Sequence, residues 1–146
     1  MNTKIKSLLT TNAQNWALLA PRLVVGVVMA AHGAQKLFGW FGGYGLEGTG
    51  GFFANQLGLT PGVFWAAVAG GGEFFGGLLL ILGLATRFAA LTVAITMAVA
   101  IITVHSGAFF APAGMEFPLT LLATSLAFLM GGGGALSIDA KLSAQK

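Results

Sequence analysis

Residues 63–104, VFWAAVAGGGEFFGGLLLILGLATRFAALTVAITMAVAIITV, decide the fold, because they hold two long apolar runs with only three residues between them. The runs cover about 63–84 and 88–104, and each approaches or reaches the roughly 20 residues that a helix needs to cross a bilayer. Backbone that faces lipid must satisfy its own hydrogen bonds, so each run is predicted to be a helix. The short connection between them, 85–87, predicts an antiparallel hairpin.

Two further apolar segments extend this pattern in both directions, at about 16–37 and 117–134. The four segments predict an all-α fold, an integral membrane four-helix bundle over residues 16–140. A cytoplasmic N-terminal segment (1–15) and a cytoplasmic tail (141–146) are expected to flank it. The composition agrees, since 56% of the 146 residues are hydrophobic and 8% are charged, against about 25% charged residues in soluble domains.

The basic residues predict that both ends of the chain lie inside the cell. Cytoplasmic loops carry an excess of lysine and arginine. With the N-terminus inside, only Lys36 lies at the outer face, and the cytoplasmic side holds Lys4, Lys6, Arg87, Lys141 and Lys146. The long connections, about 38–62 and 105–116, are then external.

Composition also excludes several classes of function. The net charge of +3 is small and dispersed, so a nucleic-acid partner is excluded. The chain has no cysteine, which excludes disulfides, a thiol redox centre and cysteine-ligated iron–sulfur or zinc sites within it. The sequence contains no phosphate loop and no dinucleotide fingerprint, and the VHSG stretch is too weak a signal for a hydrolase.

Glycine is abundant, with 23 residues, and part of it lies on one face of the second segment. Small residues let membrane helices approach closely, so this face is predicted to pack against a neighbouring helix. The face holds Ala66, Gly70, Glu73 and Gly77, with Gly72 and Gly76 beside it. The run Gly131–Gly134 is instead predicted to be the frayed end of the last helix, with Asp139 and Lys141 in solvent.

Ionisable residues inside the membrane are the first candidates for function, since each costs about 2.5–3.5 kcal/mol at the centre of a helix. Counting about 1.5 Å per residue from the cytoplasmic side places Arg22 at ~9 Å, Glu73 at ~16 Å and His32 at ~24 Å. Glu73 is therefore predicted to lie between the other two, within reach of both. One interpretation is a structural salt bridge between Arg22 and Glu73. The other is a proton relay between His32 and Glu73.

The residues nearer the outer boundary have simpler interpretations. Lys36 is expected to extend its ammonium group to the membrane interface, and His105 lies at a similar depth. A metal site built from His32, His105 and Glu73 is disfavoured, because their spacing is not local and their depths differ. No metal site is predicted.

The connection 38–62 is rich in aromatic residues, which leaves two interpretations open. It is either an interfacial aromatic belt or a lid over a pocket that opens to the outer leaflet. Its aromatic residues are Phe38, Trp40, Phe41, Tyr44, Phe52 and Phe53.

Taken in order, the segments RLVVGVVMAAHGAQKLFGWFGG, GGEFFGGLLLILGLATR, VHSGAFF and SIDA resemble the DoxX family of small bacterial inner-membrane proteins over about residues 20–140. The resemblance implies a four-helix membrane bundle in the inner membrane. The family name derives from a subunit of a thiosulfate:quinone oxidoreductase, and members are often described as oxidoreductase-associated. The matching polar positions are Arg22, His32, Lys36, Glu73, Arg87 and His105.

The leading hypothesis is a redox-associated subunit that takes up a small hydrophobic molecule, with a quinone as the candidate cofactor. Glu73 and His32 would handle its protons, and the expected binding residues are Arg22, Lys36, His105, Trp40 and Phe41. The expected partners are the lipid bilayer, a redox protein and further copies of the chain. Two alternatives stay open: a proton-coupled transporter or export-assisting protein, which would require a homo-oligomer, and a structural scaffold without chemistry.

Overall fold

The structure is a computed structural model that describes residues 11–110 and 112–144, and within these ranges it contains helices and no strand. The helices are α1 Leu19–Phe38, α2 Gly45–Gln56, α3 Gly62–Leu82, α4 Thr86–Thr103, α5 Glu116–Gly131 and α6 Ile138–Ala144, with single 3-10 turns at Trp16–Leu18 and Trp40–Gly42. The predicted all-α fold is confirmed. The four predicted segments correspond to α1, α3, α4 and α5.

Three spans are long and apolar enough to cross a membrane, namely Trp16–Phe38, Gly62–Leu82 and Thr86–Thr103. The helix α5, Glu116–Gly131, is also apolar but shorter. The chain is thus a multi-pass membrane protein. The prediction that both ends lie inside the cell stays a prediction, and Lys4, Lys6 and Lys146, on which it partly rests, lie outside the described residues.

The helices α1 and α3 pack through glycines, as the small-residue face predicted. A Cβ atom added to Gly26 would lie 2.9 Å from the carbonyl oxygen of Gly77. One added to Gly33 would lie 2.7 Å from the carbonyl oxygen of Gly70. Both distances are too short for a real side chain, so the two backbones approach as closely as they do only because both helices carry glycine at the crossing.

The helices α3 and α4 form the predicted antiparallel hairpin, although its connection is 83–85 rather than 85–87. Gly83 ends α3 in the left-handed conformation, with φ of 64°, which is the usual way for glycine to terminate a helix. Beyond the hairpin, α4 packs against α5. The side chains of Val93, Leu121 and Phe128 belong to the buried core that also includes Leu80 of α3.

The external connection predicted over 38–62 contains a helix, α2, that the sequence did not predict. Its sequence, GLEGTGGFFANQ, is rich in glycine, which disfavours an isolated helix. Packing against α3 stabilises it: a Cβ on Gly50 would lie 2.8 Å from Cγ2 of Val63, and one on Gly62 would lie 2.9 Å from Cβ of Ala54.

The predicted frayed end of the last helix is wrong. Gly132, Gly133 and Gly134 are buried, and the chain continues into α6. The carboxylate of Asp139 accepts hydrogen bonds from the backbone N–H groups of Ala85 and Thr86, each at 2.8 Å. These N–H groups begin α4 and have no partner within that helix, so the carboxylate caps them rather than remaining in solvent.

Candidate functional site

A cavity of ≈ 830 Å³ lies among α1, α2, α3, α4 and the start of α5, toward the end of the bundle away from the connection between α3 and α4. Its volume is within the range of about 300–1,000 Å³ that is usual for small-molecule sites. Most of its wall is apolar. The polar side chains in the wall include His32, Lys36, Thr49, Glu73, Thr96 and His105.

An ion pair between Lys36 and Glu73 is the charged part of this wall. The distance from Nζ of Lys36 to Oε2 of Glu73 is 2.6 Å, and the two side chains are 27% and 3% exposed. Gly70 makes the contact between the helices close, because a Cβ there would lie 3.1 Å from Cβ of Lys36. The stem of Lys36, from the last turn of α1, therefore reaches the middle of α3. The pairing offsets part of the cost of burying the carboxylate.

Of the two interpretations of Glu73, the structural salt bridge with Arg22 is wrong, because the partner of Glu73 is Lys36. The prediction that Lys36 extends to the interface is wrong for the same reason. Arg22 is fully buried. Its guanidinium donates hydrogen bonds to four carbonyl oxygens: Leu80 (2.7 Å), Ile81 (3.1 Å), Ala135 (3.3 Å) and Leu136 (3.4 Å).

The physical reason is the register of the helices. Arg22 lies beside the last turn of α3, where carbonyl groups have no partner within the helix, and a guanidinium has several donors to offer them. Glu73 lies about two turns away along α3, at roughly 1.5 Å per residue. Arg22 thus joins α1, α3 and the segment before α6, and it does not line the cavity.

Both histidines predicted as site residues line the cavity. The ring of His32 lies 6.0 Å from that of Phe117, measured between centroids, at an interplanar angle of 50°. His105 follows the end of α4, far from the connection between α3 and α4. Its Nδ1 lies 3.0 Å from the carbonyl oxygen of Ala113 and donates to it in the matching tautomer. His32 and Glu73 share one wall, and proton exchange between them stays a prediction.

Only some of the aromatic residues in the connection 38–62 line the cavity. Tyr44, Phe52 and Phe53 line it, whereas Trp40 and Phe41 do not. Trp40 and Phe41 are exposed, and Trp40 packs against Phe38 with centroids 5.1 Å apart. A direct binding role for those two residues has no support in their positions.

Sequence reasoning missed two aromatic residues of the wall, Trp65 and Phe117. A signal for the first was present, since Trp65, Ala69 and Glu73 follow one another at intervals of four and so share a face of α3. No comparable signal marks Phe117, which reaches the cavity from another helix.

The cavity wall holds two histidines and a glutamate, yet the described residues contain no group of three or more His, Asp or Glu side chains that could hold a metal ion. The arrangement instead offers an ammonium donor, a carboxylate and an imidazole on the wall of an apolar cavity. Such a site suits a mainly apolar molecule with a polar head group.

Comparison with known proteins gives two matches. The family model described as DoxX matches residues 17–106, a range that includes the ion pair and both histidines. The chain is also similar to a protein of Bacillus subtilis (strain 168) with the name "Putative oxidoreductase CatD", at 36% identity over 118 residues, which cover 81% of each chain. No solved structure matches the chain.

Proposed function

Since this chain belongs to the DoxX family, we propose that it is a redox-associated subunit of the bacterial inner (plasma) membrane that binds a quinone in the cavity. The observation that carries the proposal is the Lys36–Glu73 ion pair on an otherwise mainly apolar wall. The name of the Bacillus subtilis relative, an oxidoreductase, agrees with a redox role.

The cavity matches the two parts of a quinone. The ring and the start of the tail are apolar and fit the wall formed by residues such as Trp65 and Phe117. The carbonyl oxygens of the head accept hydrogen bonds, and Lys36 is a charged donor that retains partial exposure toward the cavity. A hydrogen bond to a charged group contributes about 1.5–3 kcal/mol, so Lys36 fixes the position of the head.

Reduction of a bound quinone to the quinol requires two electrons and two protons. A redox partner protein supplies the electrons. His32 in its imidazolium form supplies one proton, and the Lys36–Glu73 pair, which holds one transferable proton between its two groups, supplies the other. Both are reprotonated afterwards from the aqueous phase. In this account Arg22 has no direct part, because its Nη1 and Nη2 groups donate to backbone carbonyls and its side chain does not line the cavity.

The shape of the cavity favours binding over transport. It ends near Met29 and Leu121, and beyond it the fully buried side chains of Leu80, Val93 and Phe128 fill the bundle. A transporter needs a path to both membrane faces, whereas this cavity extends toward only one membrane face, the one away from the connection between α3 and α4. With both ends of the chain inside the cell, that side is external.

Fluorescence of Trp65 tests the binding directly, because this residue lines the cavity and a bound quinone quenches an adjacent indole. A Trp16→Phe/Trp40→Phe background leaves Trp65 as the single tryptophan. Titration of this protein in lipid nanodiscs with decylubiquinone is expected to quench its fluorescence to saturation. The further pair Lys36→Met/Glu73→Leu removes both charges together and should raise Kd by about tenfold or more, the equivalent of about 1.4 kcal/mol.

Lys141→Met is the matched control, since Lys141 is exposed on α6, outside the cavity. Its Kd should equal that of the background protein. An unquenched Trp65 at saturating decylubiquinone, or an equal Kd in the Lys36→Met/Glu73→Leu protein, would contradict the proposal.

A further inference from the structure

We propose that the ligand reaches the cavity sideways from the bilayer, through an opening between α3 and α4 bounded by Val68 and Val99. This inference rests on the proposed function in that the cavity is the binding site. It adds the route of entry and the position of the tail: the ligand is dissolved in lipid and keeps its apolar tail in the bilayer while its head is bound.

The hairpin is tightly packed near its connection. A Cβ added to Gly76 of α3 would lie 2.8 Å from Oγ1 of Thr92 on α4. One turn further from the connection, a Cβ on Gly72 would lie 3.6 Å from Oγ1 of Thr96. The two helices therefore separate as they run away from the connection.

The cavity begins where they separate. Val68 and Ala69 of α3 line it, and so do Thr96 and Val99 of α4, which lie opposite them in the hairpin. The space between the two helices is thus continuous with the cavity rather than filled by side chains.

The edges of this opening are apolar and face outward. Val68 is 51% exposed, Ile95 is 56% exposed and Val99 is 46% exposed, although all three also line the cavity. All three lie within helices long and apolar enough to cross the membrane, so the surroundings of the opening are lipid.

The distance from the opening to the ion pair suits a head group with a tail. Val68 precedes Glu73 by five residues, or about 7.5 Å along the helix. A ring bound at Lys36 would span this distance, and an attached chain would leave between Val68 and Val99. The ligand class is therefore a flat polar head on a long apolar chain, and the chain need not fit inside the cavity.

Binding kinetics in nanodiscs test the inference. Val68→Phe/Val99→Phe, made in the single-tryptophan background, narrows the opening and keeps Trp65 as the reporter. Both the association rate and the dissociation rate of decylubiquinone are expected to fall by about tenfold, with Kd changed less than about twofold. Val24→Phe/Val27→Phe is the control, because these exposed valines of α1 lie outside the cavity wall, and its rates should be unchanged.

A second variant covers the case in which the Val68→Phe/Val99→Phe protein does not fold. The chain has no cysteine, so Val99→Cys can be modified after folding with thiol reagents of increasing size. Larger reagents should slow association progressively.

The outcomes separate the two proposals. Saturable quenching of Trp65 with unchanged rates in the narrowed proteins would overturn sideways access and leave quinone binding intact. That result would favour a route from the outer aqueous end, near Tyr44 and His105. Absence of any quenching of Trp65 in the single-tryptophan background protein, whose opening is not narrowed, would overturn the proposed function and this inference together.

Discussion

Lys36→Met is expected to destabilise the protein by about 3–5 kcal/mol, because it leaves the carboxylate of Glu73 buried without its partner. Glu73 is 3% exposed, so water cannot replace the lost ammonium group without opening the structure. Glu73→Gln should cost less, since the partly exposed Lys36 that remains can turn toward the cavity. The measurement is equilibrium unfolding in mixed detergent micelles.

The double variant Lys36→Met/Glu73→Leu should recover most of this stability, since a buried ion pair can often be replaced by apolar side chains at little cost. Arg22→Met/Glu73→Leu is the contrasting pair. Arg22 bonds to carbonyl groups rather than to Glu73, so the costs of these two changes should add. If stability recovered in the Arg22→Met/Glu73→Leu protein and not in the Lys36→Met/Glu73→Leu protein, the partner of Glu73 would be Arg22 rather than Lys36.

Gly77→Val is expected to destabilise the protein by about 3 kcal/mol, at the upper end of the usual cost of overpacking. A Cβ at this position would lie 2.6 Å from the carbonyl oxygen of Gly26 and would also contact the backbone of Ala30. Backbone atoms cannot rotate away as a side chain can, so α1 and α3 must separate. Thermal unfolding in detergent measures the effect.

Gly71→Val is the matched control on the same helix, because a Cβ on Gly71 would have nothing within 4 Å. Valine disfavours the helix less than glycine does, so this change should be neutral or slightly stabilising. Equal losses of stability at Gly71 and Gly77 would mean that the close approach of α1 and α3 does not depend on glycine at the crossing.

The long elements of the fold were predictable because their signal is local. Apolar runs mark α1, α3, α4 and α5, and the glycine spacing in α3 marks the face that packs on α1. The helix α2 and the segment before α6 were not predictable, since distant contacts stabilise both. Asp139 caps residues 53 and 54 positions earlier in the chain, and Arg22 bonds to the carbonyl of Ala135, 113 positions later.

The members of the candidate site were partly predictable, but the pairing within it was not. Ionisable residues within apolar segments indicate candidate site residues, and this signal identifies Glu73, His32 and Lys36. Depth counting then assigned Glu73 to Arg22, because it takes no account of the register of α1 against α3. It also takes no account of backbone carbonyls, which are the groups that Arg22 contacts.

The most direct test of the central claim is mass spectrometry of the lipids and quinones retained by the protein after extraction in native membrane discs. Ala69→Trp fills the cavity, whereas Ala67→Trp places the same side chain on the exposed face of α3. The account predicts quinone enriched over bulk membrane in the unmodified protein and in Ala67→Trp, with the enrichment lost in Ala69→Trp. Equal quinone content in all three proteins, or none above the bulk membrane in the unmodified one, would contradict it.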